Sequence, residues 1–175
     1  RIITDDKFNN AKVIKVLTNN VLRLIKSGIV PIVAGFQGQD VNGFITTLGR
    51  GGSDVSASIL GAALAAKKVE IYTDVDGIMT ADPRIVSDAT LIEEISYNEV
   101  FHLADQGAKV IHPEAIEIAM RSNIPLVIKN TLSNSGGTVI NYSGELNSEN
   151  IITGITHMSR RTQIIVDKKI NIQNQ

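Results

Sequence analysis

Cysteine is absent from the 175 residues, so neither a disulfide nor a thiolate-held metal is open to this chain. That absence fits a reducing compartment, and the expected location is the cytoplasm. No charge sign dominates: 17 Lys+Arg against 18 Asp+Glu give a formal net charge of -1. Lysines pair at Lys67-Lys68 and Lys168-Lys169 without forming an extended basic stripe, which argues against a nucleic-acid partner. Membrane-length apolar runs are missing too. The nearly unbroken run over residues 59–66 falls far short of the roughly 20 residues a bilayer requires. The histidines, His102, His112 and His157, are too scattered for a metal triad and read as helix-end or surface residues. No metal ligand is assigned.

Several ligand motifs are also absent. No G-x-x-x-x-G-K-[ST] phosphate loop occurs, and a dinucleotide pattern counted from Gly49 puts Asp54 where its last glycine belongs. Asp74-Val75-Asp76-Gly77 is not a calcium loop, because the glycine comes too early and Ile85 stands where the bidentate glutamate should be. What remains is the composition of an ordinary globular protein, 43% hydrophobic and 20% charged, with enough apolar residues for a core.

One stretch organises the chain. Thr46-Thr47-Leu48-Gly49-Arg50-Gly51-Gly52-Ser53-Asp54 opens directly into an alanine-rich apolar segment. Its glycines allow positive φ and close approach to a ligand. Ser53 or Asp54 is expected to cap the helix that follows. A glycine turn ending on a helix N-terminus gathers free N–H groups and the positive dipole end, which suits an anion. Arg50 adds a planar donor matched to carboxylate or phosphate.

Around it the periodicity predicts alternating strands and helices. Residues 11–16 read as a strand, and Thr18 is placed to cap a helix that Gly28 stops. Residues 29–34 form a continuous apolar run, expected to be a buried parallel strand. With the glycine-loop helix, closed by Lys67-Lys68, and a strand over 69–73, this predicts a right-handed βαβ unit. Residues 80–92 read as a long ordered loop. Ser96 and Glu99 make a capping box, Pro113 fits a helix's first turn, and residues 125–129 and 138–140 read as strands. Residues 141–150 are polar and read as a linker, and two short β-type runs follow within 151–166.

Four phrases in fixed order carry a resemblance: VAGFQG from Val33, TTLGRGGSDVSAS from Thr46, YTDVDGIMTADPR from Tyr72 and EISYNEVFHLADQGAKVIHP from Glu94. Together they closely resemble the catalytic domain of the aspartate kinases, members of the amino acid kinase family. The resemblance implies an α/β fold, a three-layer αβα sandwich with a mostly parallel sheet, the N-terminal part of that domain missing. Residues 1–140 would be the C-terminal portion of the catalytic domain, 141–150 a linker and 151–175 the incomplete start of a regulatory ACT domain.

The implied reaction moves the γ-phosphoryl of ATP to the side-chain carboxylate of L-aspartate, with Mg2+ held mainly by the nucleotide. It is the first step toward lysine, threonine and methionine. On this likeness Arg50, with Gly51, Gly52 and Ser53, would hold aspartate, and Phe36 would line its pocket or simply pack in the core. Asp54 would organise the site's cations, with helix capping as the rival reading. Thr73, Asp74, Met79, Arg84 and Lys109 would meet the nucleotide, Lys109 also serving catalysis; solvated surface charge is the alternative for Arg84 and Lys109. Asp76 and Asp82 read as turn and cap formers.

The family's lysine- and glycine-rich phosphate loop, and a substrate-contacting glutamate, do not occur here. The chain is therefore expected to be a fragment, inactive alone, of a homo-oligomeric enzyme. Two alternatives stand: another member of the family acting on glutamate, acetylglutamate, carbamate or UMP, or a non-catalytic module sensing an amino acid or nucleotide.

Overall fold

A computed structural model describes residues 1–107, 110–144, 152–158 and 162. The amino-terminal half supplies β1 (Ile2–Thr4), β2 (Val13–Val16), α1 (Asn19–Lys26), β3 (Gln37–Gln39), β4 (Ile45–Thr47) and α2 (Gly52–Ala63). After it come β5 (Val69–Thr73), β6 (Glu94–Ser96), α3 (Tyr97–Asp105), α4 (Pro113–Arg121), β7 (Leu126–Asn130) and β8 (Thr138–Asn141). The described strands form two four-stranded sheets, in the orders β2-β1-β3-β4 and β5-β7-β8-β6.

The α/β class is as expected, but the sheets are mixed in polarity rather than mostly parallel. In the second sheet β5 runs parallel to β7 and β6 parallel to β8, while β7 and β8 are antiparallel. In the first, β1 is parallel to β3, and β2 and β4 are antiparallel to their neighbours. The expected unit from residues 29–34 through α2 to β5 is not formed; the parallel neighbour of β5 is β7, reached across β6, α3 and α4. Residues 29–34 take no strand conformation, and Val30 and Ile32 stand 86% and 99% exposed. Apolar character records a preference for burial. A strand also needs a neighbour to complete its ladder, and none lies beside this run among the described residues.

Four small strands escaped the pattern because three residues carry no period. β3 and β4 form a hairpin whose turn is closed by Asp40: its Oδ1 accepts from the Asn42 and Phe44 amides at 2.9 and 2.7 Å. β1 and β6 are equally short. The helices follow expectation more closely. In α3 both halves of the capping box form, and Pro113 opens α4. Thr18 occupies the N-cap position of α1 without a side-chain bond, and Gly28 follows with φ 76°.

The core lies where α2, α3 and α4 meet the second sheet. Ile95, Ile116, Leu126, Ile128 and Ile140 are completely inaccessible to solvent. Tyr97 is buried among them, donates to the Ile124 carbonyl at 2.7 Å and meets the Tyr142 ring edge-on at 5.0 Å. Burial first, and the Tyr142 phenol second, push its own phenol up to about 12. Gly61 lets α2 lie on β5, since a Cβ there would overlap the Val69 side chain.

Candidate active site

The turn between β4 and α2 does not begin its helix as the sequence suggested. Neither Ser53 nor Asp54 is the N-cap. That position belongs to Gly51, in the left-handed region at φ 71°, and no side chain caps the helix. A glycine costs nothing in this conformation; the Gly52 amide donates to the Gly49 carbonyl at 3.1 Å, while the Ser53 and Asp54 amides have no partner among the described residues. Gly49 is also left-handed, at φ 81°. Between them Arg50 projects from the turn, exposed and without an ion pair among the described residues. Ser53 is exposed and Gly52 buried.

Asp54 sits half-buried in the first turn of α2 and faces another element. Its Oδ2 accepts from the backbone amide of His112 at 3.2 Å, and His112 is the N-cap of α4. Capping was the rival reading for this carboxylate, and the helix it serves is α4 rather than its own. The other oxygen has no protein partner among the described residues. The two lysines expected at the end of α2 lie beyond it as well: the helix stops at Ala63, and Lys68 pairs with Glu70 at 2.7 Å.

Phe36 closes one side of the turn. A Cβ on Gly52 would lie 2.7 Å from its Cδ2, so the ring rests on the start of α2 while 42% of the residue remains exposed. Its φ of 69° is costly for an aromatic residue. Buried Ser56 holds it there: Ser56 Oγ accepts from the Phe36 amide at 2.8 Å and donates to the Gly52 carbonyl at 2.6 Å. The Phe36 carbonyl in turn accepts from the Leu48 amide at 2.9 Å. Sequence reasoning missed Ser56, since a serine one turn into a helix carries no local signature of a distant partner. His112, read from the sequence as a helix-end or surface residue, is the N-cap of α4; what the sequence did not show is that its ring lies against Gly51, with Nδ1 buried and without a hydrogen bond among the described residues.

A second group of predicted residues follows β5. The Thr73 carbonyl accepts from the Thr131 amide, and Thr73 Oγ1 donates to Asp74 Oδ1 at 3.1 Å. Asp76 Oδ1 accepts from Asn130 Nδ2 at 2.8 Å and Ser133 Oγ at 2.6 Å, and these bonds lower its pKa. The long loop then folds back on itself. Met79 bridges Leu91, and Thr138 Oγ1 accepts from the Ile78 amide while donating to the Ile92 carbonyl. Arg84 is held by Asp82 through Nε at 3.0 Å and Nη2 at 2.7 Å, and its own amide donates to the same carboxylate. Those bonds, the Arg84 side chain foremost, hold the Asp82 carboxyl down at about 2.

The structure therefore joins Phe36, Arg50, Gly51, Gly52, Ser53 and Asp54 into one corner. Among the described residues no hydrogen bond or ion pair ties Thr73, Asp74, Met79 or Arg84 to that corner, and Lys109 lies outside the described residues. A concavity of about 360 Å³, lined by Arg1, Val21, Val33, Gly38 and Leu60 among others, does not include Arg50 or the β5 loop. No described helix is long and apolar enough to cross a membrane.

Residues 2–130 match the amino acid kinase family. The chain belongs to that family. Among curated relatives, aspartokinase 1 of Bacillus subtilis (strain 168) is 44% identical over 177 residues, covering 98% of this chain and 44% of the relative. The aspartokinase of Geobacillus stearothermophilus is 42% identical over 94% of this chain and 40% of its own length. This amino acid kinase chain thus spans less than half the length of the relatives it matches. Among solved structures, E. coli aspartokinase III in complex with aspartate and ADP superposes with a TM-score of 0.73 at 40% identity, over 81% of this chain and 33% of that one. The aspartate kinase of Synechocystis gives 0.66 at 47% identity, over 75% and 22%.

Proposed function

We propose that the full-length protein carrying this chain is an aspartate kinase, transferring the ATP γ-phosphoryl to the side-chain carboxylate of L-aspartate. The observation that carries the reading is the turn at the head of α2. It presents a guanidinium unpaired among the described residues beside the Ser53 and Asp54 amides, under an aromatic wall fixed at positive φ. Arg50 suits the bidentate grip of a carboxylate, with the Ser53 hydroxyl and the first amides of α2 beside it. Phe36 gives the small ligand an apolar side. The complex of E. coli aspartokinase III with aspartate and ADP supports both substrates.

In the reaction an aspartate carboxylate oxygen bonds to the γ-phosphorus, the bond from that phosphorus to the bridging oxygen breaks, and ADP leaves. The protein's part is alignment and charge neutralisation. Thr73, Asp74, Met79 and Arg84 would hold the nucleotide, with Lys109 assigned to the transferring phosphate on resemblance alone. Among the described residues no group of three or more acidic or histidine side chains could cage a metal. This donor set fits a magnesium ion brought in on the nucleotide phosphates. When bound there, the ion would neutralise developing charge. The unpartnered oxygen of Asp54 is the protein group we assign to the site's cations.

The reading extends to a cytoplasmic homo-oligomer, with residues 1–140 as catalytic portion, 141–150 as linker and 151–175 as the start of a regulatory region. Calorimetry on the full-length protein tests its centre. Aspartate should bind, and Arg50→Ala should remove that binding while leaving ATP binding in place. In a phosphorylation assay with aspartate and glutamate in competition, aspartate should be the one modified. Preference for glutamate would replace this reading with another member of the family.

A further inference from the structure

We propose that His112 is a positioning residue for the aspartate-binding turn, acting by the shape of its ring. The inference rests on the aspartate kinase reading above and assigns a role which that reading does not contain. Gly51 is the left-handed residue that turns the chain into α2 and directly follows Arg50. A Cβ on Gly51 would overlap Cβ, Cγ and Cδ2 of His112, so these carbons form the floor on which the turn sits. Among the described residues nothing polar is exchanged there: Nδ1 is buried and has no hydrogen-bond partner. A buried nitrogen left unpaired is a cost the fold would shed if the ring were replaceable filler.

The backbone of the same residue is tied in separately. Its amide donates to Asp54 Oδ2, four residues beyond Arg50, so His112 touches the turn on both sides of the helix start. Its own place is set by α4: extended backbone at φ -75°, ψ 134°, followed by Pro113 in the first helical turn. The ring therefore stands on a rigid support buried by Ala115, Ile116 and Ala119. Removing it opens a space under Gly51 and lets Arg50 drift. Displacements of about an ångström in such groups cost up to roughly a hundredfold in rate.

The test is steady-state kinetics and thermal unfolding of the full-length protein and of its His112→Ala, His112→Phe, Gly51→Ala and Arg50→Ala variants. His112→Ala should raise KM for aspartate about tenfold and KM for ATP by less than about twofold, the selectivity expected of a misplaced substrate clamp. His112→Phe, which keeps a flat ring and discards the unpaired nitrogen, should restore KM for aspartate. Gly51→Ala should mimic His112→Ala, and it carries the test if that variant does not accumulate. Unchanged aspartate KM in both of these variants overturns the proposal. So does an equal rise for both substrates, or a His112→Phe enzyme as impaired as His112→Ala. Arg50→Ala separates the two levels: if it leaves aspartate binding intact, the aspartate kinase reading fails, whereas its loss together with silent His112 variants sinks only the positioning role.

Discussion

Asp54 and His112, 58 residues apart in the chain, are joined by a 3.2 Å hydrogen bond from the His112 backbone amide to Asp54 Oδ2. The bond ties the first turn of α2 to the N-cap of α4, two helices that pack together. One carboxylate thus has two separable duties: an oxygen for the α4 amide and a negative charge at the head of α2.

Isosteric replacement separates them. Asp54→Asn keeps a carbonyl oxygen for the His112 amide and removes the charge. Its Tm should match wild type while kcat falls about a hundredfold, the scale of losing one electrostatic group at a reacting centre. Asp54→Ala leaves the amide unpaired as well and should cost a further ~1 kcal/mol of stability, as lost helix caps do. Equal kcat in wild type and Asp54→Asn would reduce Asp54 to a cap.

The Asp82–Arg84 pair predicts a titration. The Arg84 guanidinium, and then its amide, hold the Asp82 carboxyl at about 2. In Arg84→Gln that pKa should rise toward the ordinary ~3.9 of aspartate. The sign follows from linkage. A carboxyl lowered on folding stabilises above its unfolded value, and the contribution fades as pH falls toward 2. Arg84→Gln should nevertheless change Tm at pH 7 little, because the Arg84 side chain is 87% exposed and solvent screens its charge. Carboxyl NMR across pH 2–5 reads the shift directly. KM for ATP in the same variant reads whether Arg84 meets nucleotide.

Tyr97 predicts behaviour at the other end of the pH scale. Its phenol is raised by burial to about 12. A group whose folded pKa lies above its unfolded one stabilises fully below the unfolded value, ~10, and loses that contribution through 12. Within that window stability should fall by ~1.4 kcal/mol per pH unit. Tyr97→Phe should abolish this slope and cost ~1 kcal/mol at neutral pH by orphaning the Ile124 carbonyl. Denaturant midpoints at pH 7 and pH 11 distinguish the two effects.

How far the sequence foretold this molecule divides along the range of the interactions involved. The capping box of Ser96 and Glu99, Pro113 at the head of α4, and Gly28 after α1 are settled by neighbours within about one turn, and all stand as expected. The glycine turn was legible as a turn into a helix for the same reason. Its cap was not, because Asp54 spends its carboxylate on an amide from a distant helix. Ser56 escaped notice, and His112 was legible only as a helix end, on the same ground: the groups they touch, Phe36 and Gly51, are brought near only by the fold. Residues 29–34 show the converse. Local apolar character was unmistakable, yet strand formation depends on a partner strand that local sequence does not name.

Thr153 and Glu99 supply a test of how the segment 152–158 is held. Thr153 Oγ1 donates to Glu99 Oε1, while Glu99 Oε2 accepts from Ser96 Oγ at 2.7 Å and the Ser96 amide at 3.1 Å. Nearby, the Ile155 amide donates to the Thr80 carbonyl at 2.8 Å. Burial raises the Glu99 pKa, but the bonds from Thr153 and Ser96 outweigh it, and the carboxyl is lowered overall. Thr153→Val deletes one of those donors without touching the capping box. Glu99 should then titrate higher, and the acid loosening of this segment that runs through the Thr153–Glu99 bond should be absent from the variant. At neutral pH the Ile155 amide should exchange with solvent about tenfold faster, the change expected when a local opening becomes ~1.4 kcal/mol easier, while the α3 amides stay protected. Exchange unchanged at Ile155 would mean that the Thr80 bond alone holds the segment, with Thr153 contributing nothing to its docking.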